Sequence, residues 1–328
     1  MEVSDFCRVG VAGLVIAVSF GGCSTVPTAL TGEDGGRVAE YFCEFSRGEE
    51  PEGLSGITRI GGNRYFSVDD RGGMLHELEI VLDEEDADGS CSLKRSVRLE
   101  GRTDLEGCAY DPLDGRVWVA DEHDATVVAF DPETGREVTR ASVPAVYRRN
   151  ALPNRSLEGL SISPDGLRMY ISNEDTLRGD GRPADELRGG TVRIQEFVRE
   201  GKDAKWVPAH QFRYDTDRIV GSRFKGQSLS GVSALCAPGD GTLLVLEREL
   251  SQKGPFFPSF RARLYAFDLV DDQSVANKRL VWEGNTRFAN YEGLCLGPVL
   301  KDGTRTLVLV SDGGNGADKK VLVLSLRR

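Results

Sequence analysis

A short grammar recurs five times along this 328-residue chain, and it constrains the fold more than any other feature. Each copy runs Ser or Glu, then Gly, a short apolar strand, a Gly/Asp/Pro turn, a second apolar strand and an acidic end. The copies are SGITRIGGNRYFSVDD (55–70), EGCAYDPLDGRVWVADE (106–122), EGLSISPDGLRMYISNE (158–174), SGVSALCAPGDGTLLVLE (230–247) and EGLCLGPVLKDGTRTLVLVSD (292–312). Asp-Gly pairs at 114–115, 165–166, 240–241 and 302–303 supply the positive φ that a hairpin turn requires. β-branched and aromatic residues enrich the second strand, as in RVWVA and TLLVL.

Two further strand-like runs follow each hairpin. In the second unit they are ATVVAFD and REVTRASV, separated by an Asp-Pro-Glu-Thr-Gly turn; in the fourth they are ARLYAFDL and KRLVWEG. No long stretch carries helical periodicity. Four strands per unit, at intervals of 51, 52, 72 and 62 residues, is the pattern of β-propeller blades. The last unit has only 37 residues left from Glu292, enough for three strands ending in KVLVLSL. An orphan strand-like EYFCEF (40–45) precedes the first unit, and a strand from the other terminus is what a closed propeller uses to cover its open edge. The expectation is an all-β, five-bladed propeller whose last blade is completed from the N-terminus. Six blades is the alternative, if the long intervals hide a degenerate one.

Val9 to Phe20 is apolar for 12 residues, short for a bilayer span, and GGCST follows it. This resembles a bacterial lipoprotein signal with Cys23 as the lipidated residue; a cleaved secretory signal or a retained anchor are the alternatives. Residues 1–30 are therefore set apart as signal and linker, and 31–328 as a single propeller domain. The expected location is an exported, outer-membrane or periplasm-facing lipoprotein, with a secreted or periplasmic protein as the alternative. Five cysteines remain beyond Cys23, at 43, 91, 108, 236 and 295, with no CxxC pair. They read as buried free thiols, with Cys43–Cys91 the first disulfide to test in an oxidising compartment. A composition of 39% hydrophobic and 28% charged residues suits a globular core. The net charge of −11, without a basic block, argues against a nucleic-acid partner.

Geometry then places the acids. The first strand of a blade lines the channel and the second pairs with it antiparallel, so the start of one and the end of the other share a face. Ser55, Glu106, Glu158, Ser230 and Glu292 stand at the starts, and Asp69/Asp70, Asp121/Glu122, Glu174, Glu247 and Asp312 at the ends. All five blades thus aim carboxylates at one mouth. Such a ring needs water, arginines or a metal to offset it. Ca²⁺, which takes six to eight oxygens in irregular geometry, is the expected ion. The competing reading is structural: strand-end acids that accept backbone N–H groups and hold blades in register. Arg71, Arg248 and His123 also belong to the rim, suiting an anionic group beside a cation that activates water. The three histidines are too scattered for zinc, and no G-x-S-x-G elbow is present.

The segments RRNALPNRSLEGLSISPDGLRMYISNE, GVSALCAPGDGTLLVLERE, ARLYAFDL, LSGITRIGGNRYFSVDDRGG and NYEGLCLGPVLKDGTRTLVLVSDGGNG resemble the bacterial phytase-like family, described as having esterase-like activity of phytase. The similarity covers roughly residues 50 to 320. It implies an exported propeller that hydrolyses phosphate esters with Ca²⁺. The partners expected of the chain are a small anionic, phosphorylated substrate and, through an N-terminal lipid anchor alone, a membrane, with a monomer as the expected state. The resemblance implies Glu106, Glu158 and Glu292 as channel-mouth acids and Asp69, Asp70, Glu247 and Arg248 as rim groups. In the catalytic form of this expectation, Glu158, with Asp121, Glu122, Glu174, Asp312 and the others named, holds the metal, and Arg71 and Arg248 stabilise developing charge. A non-catalytic ligand- or protein-binding envelope propeller and a lactonase-like hydrolase are the alternatives.

Overall fold

The computed structural model describes residues 38–46, 51–84, 88–221, 229–252, 258–270, 275–284, 289–312 and 321–326. Cys23 and the rest of the expected signal segment lie outside the described residues. Among the described residues no helix is long and apolar enough to cross a membrane.

Among the described residues the first element is β1 (Val38–Phe45), and blades then follow in sequence. Blade 1 holds β2 (Leu54–Gly61), β3 (Arg64–Asp69), β4 (Met74–Asp83) and β5 (Asp88–Arg98). Blade 2 holds β6 (Leu105–Tyr110), β7 (Val117–Asp121), β8 (Thr126–Phe130) and β9 (Glu137–Arg140), followed by the short helix α1 (Ala145–Asn150). Blade 3 holds β10 (Leu157–Ile162), β11 (Arg168–Asn173), β12 (Thr191–Val198) and β13 (Val207–Asp215). Blade 4 holds β14 (Leu229–Cys236), β15 (Thr242–Gln252), β16 (Pro258–Leu269) and β17 (Val275–Gly284). Blade 5 holds β18 (Asn290–Val299), β19 (Arg305–Asp312) and β20 (Val321–Leu326), and β1 completes it by pairing antiparallel with β20. The described residues thus form five four-stranded blades, closed by the N-terminal strand. The 72-residue interval is lengthened chiefly by the long β11–β12 connection of blade 3, residues 174–190.

β1 also pairs parallel with β5 over Phe42–Phe45, which fuses blades 5 and 1 into one eight-stranded sheet. This contact brings Cys43 and Cys91 into one buried cluster, yet both stand as free thiols. The neighbouring Cys43 thiol, and then burial, hold Cys91 protonated. Cys108, Cys236 and Cys295 are likewise buried and free.

The core is divided into five apolar wedges, one between each pair of adjacent blades. A strand inside a blade therefore has two buried faces, and it reads as an unbroken apolar run. In β19, Leu307 and Leu309 pack toward blade 4 while Val308 and Val310 pack toward blade 1. The Asp-Gly glycines 115, 166, 241 and 303 all carry φ between +70° and +85°, as the hairpins require.

Candidate functional site at the channel mouth

The five inner strands β2, β6, β10, β14 and β18 neighbour one another in a closed ring around the axis. A β-bulge interrupts each inner hairpin near its mouth end: between Leu54 and Ile57, Leu105 and Cys108, Leu157 and Leu160, Val232 and Ala234, and Tyr291 and Gly293. The bulge gives the frame for comparing blades, because it sits beside the site and re-aims the residue it contains. In this frame Ser55, Glu106, Glu158, Ser233 and Glu292 are equivalent. The sequence expectation of Ser230 for blade 4 is off by three residues, since a second Ser-Gly-like step precedes the bulge that matters. The glycine after each Glu has a packing reason. A Cβ on Gly107 would fall on the Glu158 carbonyl oxygen and the Leu160 backbone of the next blade, and one on Gly293 would fall on the Ser55 carbonyl.

Counting back from the same bulges aligns a second, outer ring: Asp70, Glu122, Glu174, Arg248 and Asp312. Strand alternation explains which residue of each terminal pair joins it. In β15 the odd residues Leu243 and Val245 pack toward blade 3, so Glu247 follows them; Leu244 and Leu246 pack toward blade 5, so Arg248 turns to the mouth. In β7 the same rule sends Asp121 toward blade 1 and Glu122 toward blade 3.

Arg248 reaches across the mouth from blade 4. Its guanidinium pairs with Glu292, with Glu174 at 2.6 Å and with Glu158 at 3.6 Å. Two sets of carboxylates converge beside it, each with ligand atoms within 4.8 Å of one another: Asp104, Glu106 and Glu122, and Glu122, Glu158 and Glu174. Glu122 is common to both. Ser55 Oγ donates to Glu106 Oε2 at 2.5 Å and the Ser156 backbone N–H to Glu122 Oε1 at 2.7 Å, orienting both carboxyls. Glu158 is 5% exposed, and its Oε2 is buried without a hydrogen-bond partner.

Burial dominates the electrostatics. It pushes Glu106 and Glu158 well above the usual carboxylate range, and neighbouring carboxylates (Glu292 for the first, Glu106 and Glu174 for the second) push the same way. Burial likewise raises Glu122 to about 7 against the Ser156 N–H, and Glu292 to about 7 against Arg248. Asp70 and Asp104 are raised as well, by burial first and then by Asp312 and Asp121 respectively. Desolvated like charges at this density favour a cation in their midst.

The expected residues divide into two groups. Glu106, Glu122, Glu158, Glu174, Glu292 and Arg248 meet at the mouth. Asp70 and Asp312 lie together at its blade 5–blade 1 edge, where the exposed Arg71 approaches them at 3.3 and 3.9 Å. Asp69, Asp121 and Glu247 are placed elsewhere, corrections that follow from strand alternation. Asp69 accepts the Gly72 and Met74 N–H groups of its own turn. Asp121 accepts from Arg102 at 3.1 Å and from the Asp124 N–H. Glu247 accepts from Tyr214 Oη, the Asp217 N–H and Lys278 Nζ at the blade 3–blade 4 interface. Asp104, absent from the expected set, joins it because it stands two residues before Glu106, just ahead of β6. Its only sequence signal is the run TDLEG.

Among the described residues, two further concavities lack this convergence. A groove of about 940 Å³ between blades 4 and 5 is lined by ion-paired residues such as Arg305 and Asp240, and a cavity of about 270 Å³ at the far end of the channel is lined by Ile57, Cys108, Leu160 and Cys295.

Among solved structures the chain is similar to Kuenenia stuttgartiensis hydrazine synthase, at 16% identity and TM-score 0.39, covering 82% of this chain and 59% of that one. It is similar to the PQQ-bound aldose sugar dehydrogenase of Streptomyces coelicolor, at 12% identity and TM-score 0.43, covering 89% and 99%. It is also similar to the periplasmic gluconolactonase PpgL of Pseudomonas aeruginosa, at 12% identity and TM-score 0.37, covering 84% and 85%. No curated protein matches the chain. The Phytase-like family, described as esterase-like activity of phytase, matches residues 50–313, which span every inner strand of the ring and both sets of carboxylates. The chain belongs to the Phytase-like family.

Proposed function

We propose that this protein is a divalent-metal-dependent phosphoric-ester hydrolase working at the channel mouth, with Ca²⁺ as the ion. The observation that carries this reading is the convergence of Asp104, Glu106 and Glu122 within 4.8 Å, two of them oriented by hydrogen bonds from neighbouring blades. The donor set fits the group: all oxygen, all carboxylate, with no sulfur or imidazole, which suits a hard cation. Asp104 and Glu122 are half-buried, so the set is open to the mouth rather than sealed.

When bound, such a cation supplies a lowered pKa for water and neutralises charge on a phosphoryl oxygen. The chain's own residues do the rest. Asp104, Glu106 and Glu122 hold the ion, and Ser55 and Ser156 hold two of those carboxyls in place. The exposed guanidinium of Arg71 orients an anionic substrate at the rim. Arg248, tied to three glutamates, fixes the side of the mouth facing it. We place the protein in the cell envelope, exported by its N-terminal segment and anchored through Cys23, acting as a monomer on a small phosphorylated molecule.

Phosphate release from p-nitrophenyl phosphate and from phytate, with Ca²⁺ and with chelator, tests the reading. Calcium-dependent release is expected, and its loss in Glu106→Gln. No release with any divalent metal would overturn it.

A further inference from the structure

Blade 4 breaks the pattern of the mouth. At the outer-ring position, four blades carry Asp70, Glu122, Glu174 and Asp312, and blade 4 carries Arg248. At the inner position it carries Ser233, whose hydroxyl is spent on the carbonyls of Leu246 and Tyr291. Blade 4 thus contributes a cation and no carboxylate to a ring otherwise built from acids. That cation is not distributed evenly. It pairs with Glu158, Glu174 and Glu292, and no ion pair joins it to Asp104, Glu106 or Glu122.

The two converging sets therefore stand in different states. The Asp104/Glu106/Glu122 set has no cationic partner in hydrogen-bond contact. The Glu122/Glu158/Glu174 set has two of its three members held by Arg248. An independent feature marks the second set as fit for a ligand: Glu158, which gives it a carboxylate oxygen, is 5% exposed, and its Oε2 is buried without a hydrogen-bond partner. Arg248 meets Glu158 through the other oxygen, Oε1, so Oε2 stands ready as a ligand atom for a cation that takes the place of the guanidinium.

We infer that Arg248 is a tethered cation occupying the second of two adjacent cation positions, so that the native mouth takes one divalent ion at Asp104/Glu106/Glu122 and is barred from a second at Glu122/Glu158/Glu174. The guanidinium puts a single, permanently tethered positive charge where a second divalent ion would bring two, and it makes metal occupancy a property of blade 4. Arg248 is a specificity-determining residue for the number of ions bound, and it acts by occupying ligands rather than by touching substrate. The inference rests on the proposed metal reading of the mouth.

The test is Ca²⁺ stoichiometry, measured on the full chain by isothermal titration calorimetry and by native mass spectrometry. The native protein should bind one Ca²⁺ and Arg248→Met two. Glu174→Gln in the Arg248→Met background should return the count to one. Arg248→Lys, which keeps a tethered charge, should stay at one and serves if the methionine variant is poorly folded without calcium. One ion in both native protein and Arg248→Met would overturn the inference while leaving the metal reading standing. Two ions in the native protein would overturn it as well. No ion in the native protein and one in Arg248→Met would overturn the metal reading of the first set and support the role of Arg248. No ion in either would overturn both.

Discussion

Adjacent acids at the strand ends have opposite tasks because a β-strand sends successive side chains to opposite faces. In Asp121-Glu122 the first residue ties down Arg102 and the second joins the mouth; in Glu247-Arg248 the first braces the blade 3–blade 4 interface. The residue types were visible in the sequence, but the choice within each pair depends on which neighbouring wedge the strand's even positions face. The same alternation hid Asp104, which lies before its strand and has no periodic partner. Two substitutions separate these tasks. Glu247→Ala removes the acceptor shared by Tyr214, Asp217 and Lys278 and is expected to cost about 3 kcal/mol, leaving calcium affinity unchanged. Glu122→Gln is expected to weaken calcium binding by about tenfold or more with little loss of stability in the ion-free protein. Thermal melts and calcium titration of both variants check this; equal effects of the two on calcium binding would contradict the assignment.

The elements were largely legible. Hairpin turns follow from Asp-Gly pairs whose glycines carry positive φ, and the closing role of 40–45 followed from a last blade one strand short. The parallel pairing of β1 with β5 was not legible, because it joins the outer edges of two blades and no local pattern marks it. The blade 4 repeat was misaligned by three residues for a related reason: SGV at 230–232 imitates the Glu-Gly step, while the bulge that defines the mouth position lies at Ser233. Closure by β1 makes a direct prediction. Deleting residues 38–45 uncovers the β20 edge and opens the apolar wedge containing Tyr41, Val321 and Val323. The truncated chain is expected to lose its cooperative melt and to aggregate on size-exclusion chromatography; an unchanged melt would show that the ring closes without it.

At the scale of the molecule, the five apolar wedges and the carboxylates that four of the blades bring to the mouth oppose each other. The wedges draw the inner strands together, and that convergence crowds acids into a desolvated mouth. The folded state keeps Glu122 and Glu292 protonated up to about pH 7, whereas their ordinary value is 4.5, so it binds more protons than the unfolded chain between those limits. These groups therefore stabilise the fold below about pH 4.5 relative to neutral pH, and their contribution is lost as pH rises toward 7. Melting temperature in chelator is expected to fall by several degrees between pH 5 and 8, and saturating Ca²⁺ to flatten that slope. A melting temperature that rises with pH in chelator would contradict it. The repeat in the chain was sufficient for the propeller, its blade order and the face on which the acids gather, because period-2 alternation, turn chemistry and strand count are local and are written residue by residue. Which acids meet, and that Arg248 stands among them, came only from closing the ring, because those neighbours lie 44 to 90 positions away in the chain and are brought together by the packing of blades.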